Sequence, residues 1–192
     1  MVETPNEFYT LRPDFPMNID ALMTEYVRLM RPIIERRTTP IVTTGLCIGG
    51  DMGLRFAVEL DALGIASPSV VVIDGFACRS EYGYEWGGFV AFDEVSDEVN
   101  RRRNVITHTL SSSFVQRYYR GNVHLIMCLD FEDEPGQSRE EGYALLPRNK
   151  ENWKRSQPDM PITYVESVHF QLLHAPENLK LLRQITDGFA FK

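Results

Sequence analysis

One cysteine in this sequence has the neighbours of an enzyme nucleophile. Cys47 lies in the run Gly45-Leu46-Cys47-Ile48-Gly49-Gly50. Residues 40–44 before this run predict a short strand, and residues 51–63 after it predict a helix that Gly64 closes. A Gly-x-nucleophile-x-Gly run on a strand-to-helix turn is typical of a nucleophile elbow. We therefore predict that Cys47 is a nucleophile; the alternative is a small buried cysteine beside an ordinary glycine-rich turn.

The residues around Cys47 favour the anionic, reactive form of its thiol. Gly45 and Gly49 lie two residues to either side and let the backbone pass through a sharp, crowded turn. The N-terminus of the following helix attracts negative charge, so it lowers the pKa of the thiol and helps to bind an oxyanion.

A thiol nucleophile needs a base, and the base needs a carboxylate that fixes its tautomer. His169 follows the predicted strand at residues 161–165, and Asp74 ends the predicted strand Ser69–Ile73. Because the carboxyl ends of parallel strands carry function in α/β sheets, we predict His169 as the base and Asp74 as the acid. The other three histidines do not directly follow a predicted strand: His108, His124 and His174.

The assignment of the acid has an alternative on the next strand. Asp130 and Asp133 follow the predicted strand Val123–Leu129, the other position from which such a fold can supply a carboxylate. The competing interpretation of Asp74 is a plain turn, since an Asp-Gly dipeptide often marks one. Asp74 is preferred because it directly ends the strand that follows the nucleophile helix.

The remaining pattern predicts the elements that position these residues. Strands that alternate with helices predict an α/β fold with a mostly parallel sheet and flanking helices, in a single domain over residues 1–192. Residues 76–95 are rich in glycine, aromatic and acidic side chains and are interpreted as a lid loop. A helix after Asn18 is expected to bury one face, and to kink or end at Pro32; this face comprises Ile19, Leu22, Met23, Tyr26, Val27, Met30, Ile33 and Ile34. A second helix is expected from Ser96 to Tyr118 and a final one from Pro176, carrying Leu179, Leu182 and Ile185.

Composition excludes several classes of protein. A net charge of −7 argues against nucleic acid as a partner. Three cysteines without a CxxC pair predict neither a disulfide framework nor a metal site. The sequence shows no membrane span and no signal peptide, so a cytoplasmic location is expected.

The chain resembles the thioesterase domains of nonribosomal peptide and polyketide synthetases, in the α/β-hydrolase superfamily. The resemblance runs from about Phe8 to Ile185 and rests on the elbow around Cys47 and three further segments, which are Leu54–Leu60, Val70–Asp74 and Val168–Leu173 with Trp153 before the last strand. It implies an α/β-hydrolase fold in which Cys47, His169 and Asp74 form a catalytic triad.

The chain departs from this family in three respects. The family usually carries serine where Cys47 stands, and the lid segment is short. The first strands and the glycine-rich loop that supplies one oxyanion donor have no counterpart before Phe8, so a fold shortened at the N-terminus is expected. The Ile48 N–H remains as an oxyanion donor. An exposed sheet edge or a homodimer that covers it is expected in consequence.

The leading hypothesis is an acyl-transfer enzyme of the thioesterase type. A small-molecule acyl group on the phosphopantetheine arm of an acyl or peptidyl carrier protein would pass to Cys47 and then be released by hydrolysis or cyclisation, with no bound cofactor. Two alternatives remain open: a small hydrolase of the dienelactone-hydrolase type, which Asp130 or Asp133 suits better, and a catalytically weakened binding module. The arginines at 101–103 and 117–120 could dock an acidic carrier, although a solvated helix face is the preferred interpretation.

Overall fold

The described structure is a parallel sheet flanked by helices. A computed structural model describes residues 19–75, 77, 117–131 and 138–190. In chain order the elements are α1 (Ile19–Ile34), β1 (Val42–Leu46), α2 (Ile48–Ala62), β2 (Ser69–Ile73), β3 (Val123–Cys128), α3 (Arg139–Ser156), β4 (Ile162–Val165) and α4 (Pro176–Ala190), with a 3₁₀ turn at His169–Gln171 before the last helix. None of the helices in these ranges is long and apolar enough to cross a membrane.

The four strands pair in the order β1-β2-β3-β4, and every pair is parallel. The predicted mostly parallel sheet is therefore confirmed. Leu46 at the end of β1 lies opposite Ile73 at the end of β2. The residues that follow these two strands, Cys47 and Asp74, consequently leave the sheet side by side at its carboxyl edge.

Strand β2 lies at the centre of the core and is buried on both faces. Neighbouring residues of a strand point to opposite faces of a sheet. Val70 and Val72 pack in a cluster with side chains of α2 and α3, whereas Val71 and Ile73 pack in a cluster that α4 covers. Helix α1 packs on the outer side of α2. The uninterrupted run of valine and isoleucine in β2 is what a strand buried on both faces requires.

The boundaries around Cys47 differ from the predicted ones in a way that matters for the site. Strand β1 continues to Leu46 and helix α2 begins at Ile48, three residues earlier than predicted. Cys47 is therefore the single residue between a strand and a helix. At the other end of α2, Gly64 has a φ of 66°, so its predicted role in ending the helix is confirmed.

Two details of the predicted helices were wrong. Ile33 is 59% exposed, because it lies about 100° around α1 from the buried Ile34. Tyr118, which was expected on the apolar side of the second helix, is exposed and not helical. The expectation for Pro32 agrees with the structure, since the helix ends two residues after it, and Leu179 lies on the final helix as predicted. Helix α3 was not predicted at all.

Several expectations concern residues outside the described ranges. The lid loop at residues 76–95 lies there apart from Ala77, as do the segment before residue 19 and the helix predicted from Ser96, apart from its last two residues. Among the described residues, β1 pairs only with β2. The homodimer expected at that edge stays a prediction.

Candidate active site

Cys47 has the backbone conformation of a strained turn. Its φ is 56° and its ψ is −126°, a region that a residue with a side chain seldom adopts. Its N–H donates to the Ile73 carbonyl at 2.7 Å, and its own carbonyl accepts the Gly50 N–H at 3.0 Å. The turn is thus fixed to both the neighbouring strand and the first turn of α2. This geometry presents the thiol at the N-terminus of a helix.

Two of the glycines in the elbow are needed for close packing. A Cβ on Gly45 would lie 2.3 Å from the backbone carbon and oxygen of Gly49. A Cβ on Gly50 would lie 2.7 Å from the Gly45 carbonyl oxygen and 2.8 Å from a methyl group of Val72. Gly49 is different, because a Cβ there would meet no atom within 4 Å. The strand and the helix therefore approach too closely for side chains at positions 45 and 50.

Asp74 follows β2 directly and also has a positive φ, of 47°. Its N–H donates to the Ile126 carbonyl at 2.7 Å. One carboxylate oxygen, Oδ1, accepts the backbone N–H of Cys128 at 3.0 Å, and the other, Oδ2, lies 2.7 Å from Nδ1 of His169. The side chain is almost fully buried. Asp74 is therefore aimed at His169 by the backbone of β2 and β3.

His169 begins the 3₁₀ turn after β4, and its ring contacts both other residues. Besides the contact with Asp74, it forms a side-chain hydrogen bond with Cys47. Burial lowers the pKa of His169, but the hydrogen bonds with Asp74 and Cys47 and the negative charges of both outweigh it and raise the pKa to about 10. The side chain remains 21% exposed. The three residues selected from the sequence thus lie in one hydrogen-bonded row, with Ile48 at the start of α2 beside them.

Of the two alternative acids, Asp130 is not in this row. Asp130 Oδ1 accepts the Tyr143 hydroxyl at 2.6 Å and Arg139 Nη2 at 2.7 Å, so its carboxylate faces α3. The hydrogen bond from Tyr143, followed by contacts with Phe131 and Arg139, lowers the pKa of Asp130. Asp133 lies outside the described ranges.

Of the other histidines, His124 lies within 2.8 Å of the Thr163 hydroxyl, and burial lowers its pKa. It lies on β3, away from the carboxyl edge of the sheet. The predicted structural role of His124 agrees with this placement.

Sequence reasoning missed the residues that hold the turn after Asp74. Asn149 and Trp153 of α3 hydrogen-bond to the backbone of Gly75 and Ala77. The only signal for them was the tryptophan before the last strand. In the second basic run, Arg117 pairs with Asp20 and Arg120 pairs with Asp61, while the arginines at 101–103 lie outside the described ranges. In the ranges that the structure describes, no group of three or more histidine, cysteine or acidic side chains is arranged to hold a metal ion.

The comparison with known proteins finds similarity in structure alone. No protein-family model matches the chain, and no curated protein matches its sequence. The NocB thioesterase domain from the nocardicin cluster superimposes with a TM-score of 0.63 at 19% identity, over 92% of this chain and 77% of its own. BorB, a type II thioesterase from the borrelidin biosynthetic cluster, superimposes with a TM-score of 0.62 at 17% identity, over 90% of this chain and 71% of its own. Human thioesterase 2 superimposes with a TM-score of 0.56 at 17% identity, over 86% of this chain and 78% of its own. The predicted α/β-hydrolase fold of thioesterase domains is confirmed.

Proposed function

We propose that this protein is an acyl-transfer enzyme of the thioesterase type, in which Cys47 takes an acyl group from a thioester. One observation carries the proposal: Cys47, His169 and Asp74 form a hydrogen-bonded row at the carboxyl edge of a parallel sheet. The nucleophile is on a strand-to-helix turn, the base follows the last strand, and the acid is buried behind the base. This is the arrangement of a nucleophile, a general base and a residue that orients the base.

His169 and Cys47 favour each other's charged forms. The Cys47 charge is one of the causes that raise the pKa of His169, and the interaction energy is mutual, so a protonated His169 favours the thiolate equally. Asp74 accepts a hydrogen bond from the Nδ1–H of His169, so the proton stays on Nδ1 and Nε2 is the nitrogen that exchanges a proton with the thiol. In the free enzyme, the pair therefore favours a thiolate beside an imidazolium.

In the acylation step, the Cys47 sulfur attacks the carbonyl carbon of the thioester. The π electron pair moves to the carbonyl oxygen, and the Ile48 N–H, at the start of α2, donates to the resulting oxyanion. This N–H is among the first of the helix, which have no acceptor within it. The intermediate collapses, the bond to the departing sulfur breaks, and the departing thiolate takes the proton from His169. The products are a Cys47 thioester and a free thiol.

The charges then favour the second step. Acylation removes the negative charge of Cys47 and its hydrogen bond, so two of the causes that raise the pKa of His169 are lost while burial still lowers it. Neutral His169 then takes the proton of the incoming water, hydroxyl or amine as this nucleophile attacks the acyl carbon. Collapse of the intermediate expels the Cys47 thiolate beside an imidazolium. The enzyme returns to its starting state.

The acyl donor that we propose is a phosphopantetheine thioester on an acyl or peptidyl carrier protein. The neighbouring structures include the Vlm2 thioesterase domain bound with a dodecadepsipeptide, and the NocB domain in a covalent complex with a fluorophosphonate nocardicin G analogue. Exchange of one thioester for another keeps the acyl group activated. A Cys47 thioester is more reactive than a serine ester, and it therefore favours transfer of the acyl group to a weak or internal nucleophile.

Of the two alternatives, the hydrolase of the dienelactone-hydrolase type loses Asp130 as its acid, because Asp130 faces Arg139 and Tyr143, and Asp133 lies outside the described ranges. The second alternative, a catalytically weakened binding module, predicts that Cys47 forms no acyl adduct.

Intact-mass analysis after incubation with a panel of acyl-pantetheine thioesters tests the proposal. We expect one added acyl group, found on the Cys47 peptide and absent in the Cys47→Ala variant. A substrate with an internal nucleophile then separates transfer from hydrolysis: the wild type is expected to give a larger fraction of cyclised product than Cys47→Ser. A wild-type protein that forms no adduct with any thioester would leave the binding module as the better account.

A further inference from the structure

We propose that Asn149 is a positioning residue that holds the turn after Asp74, and so keeps the acid aligned with His169. The inference rests on the proposed function for the meaning of that alignment. Asn149 lies on α3, which supplies none of the three residues in the row. Its effect is therefore exerted through the backbone of Gly75 and Ala77.

The Asn149 amide makes two hydrogen bonds to this turn. Its Nδ2 donates to the Gly75 carbonyl at 3.1 Å, and its Oδ1 accepts the Ala77 N–H at 2.8 Å. The residue is only 3% exposed. An amide is the side-chain group that can donate and accept at adjacent positions in this way, whereas a carboxylate only accepts. The two bonds together fix the direction of the chain as it leaves β2.

Trp153, one helical turn further along α3, reinforces the same point. Its Nε1 donates to the Gly75 carbonyl at 3.0 Å, and its side chain is fully buried in the core. Residues four apart lie on one face of a helix. Gly75 is also closely packed, since a Cβ there would lie 2.6 Å from a methyl group of Val72 and 3.0 Å from Asp51 Oδ1. The turn is thus held between α3 and α2.

This support matters because Asp74 has an uncommon backbone conformation. A φ of 47° is rare for a residue with a side chain, although aspartate tolerates it better than most, so its surroundings determine how precisely the turn is held. The bond from Asp74 N–H to Ile126 fixes the chain before the turn, and Asn149 and Trp153 fix it after the turn. Release of the second anchor lets the backbone relax, and the carboxylate then shifts from Nδ1 of His169.

The test compares Asn149→Leu with Asn152→Leu. Asn152 is also buried on α3, but its side chain makes no hydrogen bond to Gly75 or Ala77 among the described residues. Both changes remove a buried amide from the same helix, so a general loss of stability affects both. If Asn149→Leu does not fold, one of two other variants replaces it. Trp153→Phe removes the Nε1 donor and leaves a smaller ring in the core, and Asn149→Asp replaces the amide donor with a carboxylate oxygen that faces the Gly75 carbonyl.

Two measurements are made on each variant. The first is the pKa of His169, from nitrogen NMR of its ring, which requires no turnover. The second is the steady-state turnover of an acyl-pantetheine thioester. We expect Asn149→Leu to lower the pKa of His169 and to lower kcat by about 10- to 100-fold with KM within roughly twofold, since a misplacement of about 1 Å has such effects. Asn152→Leu is expected to change neither.

Equal values for Asn149→Leu and Asn152→Leu in both measurements would overturn the inference. A wild-type protein without turnover refutes the proposed function alone. In that case the pKa of His169 still decides whether Asn149 aligns Asp74.

Discussion

Both oxygens of the Asp74 carboxylate are occupied, one by the backbone of β3 and the other by the His169 ring. A single side chain consequently connects the sheet to the base. Cys128, which supplies the backbone N–H, also carries a buried thiol, and burial together with the charge and hydrogen bond of Asp74 strongly raises the pKa of that thiol. Cys128 therefore stays in its neutral form, and only Cys47, which forms a hydrogen bond with His169, is proposed as a nucleophile.

Replacement of the acid should change the reactivity of the nucleophile. In Asp74→Asn the negative charge and its strong hydrogen bond are lost while burial still lowers the pKa of His169, so this pKa falls from about 10. The imidazolium that stabilises the thiolate is then less favoured. We expect the rate of Cys47 alkylation by iodoacetamide at pH 7 to fall by about tenfold or more, because an ordinary thiol of pKa near 8.5 is only a few per cent ionised there.

The matched control is Asp130→Asn, which removes a carboxylate that faces Arg139 and Tyr143. It is expected to leave the alkylation rate within about twofold of wild type, because Asp130 makes no contact with the row. Rates from pH 5 to 11 should show wild-type reactivity persisting to lower pH than that of Asp74→Asn. A larger loss in Asp130→Asn than in Asp74→Asn would reverse the assignment of the acid.

At the scale of elements, the sequence predicted what depends on strand ends. β2 was predicted at its observed bounds because its apolar run is long enough to stand out, and Cys47, Asp74 and His169 were found because parallel strands bring their carboxyl ends together. Helix α3 was missed because its sequence is strongly polar and contains Pro147, which disfavours a helix interior by roughly 3 kcal/mol. Packing of Trp153 and Leu146 against the core overrides that local preference. The role proposed for Asn149 could not be predicted from the sequence, because Asn149 lies on that helix.

The elbow offers a sharp test of the packing between β1 and α2. In Gly45→Ala the new Cβ meets the Gly49 backbone at 2.3 Å, and backbone atoms cannot move aside without displacing the helix. We expect a loss of about 2–3 kcal/mol in the free energy of unfolding, at the upper end of the overpacking range. Gly49→Ala is the control, because its Cβ meets nothing and alanine favours the helix by about 0.5–1 kcal/mol. Urea denaturation measures both, and equal stability of the two variants would contradict the observed approach.

At the scale of the whole molecule, ion pairs connect helices α1 and α2 with the segment before β3. Arg55 of α2 is only 3% exposed, and its Nη2 lies 2.6 Å from Asp20 Oδ1 of α1 and 3.1 Å from Glu59 Oε1. The second oxygen of Asp20 lies 3.2 Å from Arg117, in the segment that leads into β3. Asp20 thus connects α1, α2 and residues 117–120. The positive charges of Arg117 and Arg55 are used within the chain, which leaves them less available to an acidic partner.

Asp20→Ala should therefore lower the free energy of unfolding by more than the loss of an ordinary surface ion pair does. It leaves the buried Arg55 paired with Glu59 and removes the link to Arg117. Loss of one partner of a fully buried pair costs about 3–5 kcal/mol, and because the Asp20 side chain is 55% exposed we expect about 1–3 kcal/mol. Asp187→Ala is the control, since Asp187 and Arg183 are exposed on α4 and 3.5 Å apart, and a change below about 0.5 kcal/mol is expected. Urea denaturation at low and high salt measures both variants. Similar small losses in the two would mean that α1 is held by its apolar contacts with α2 alone.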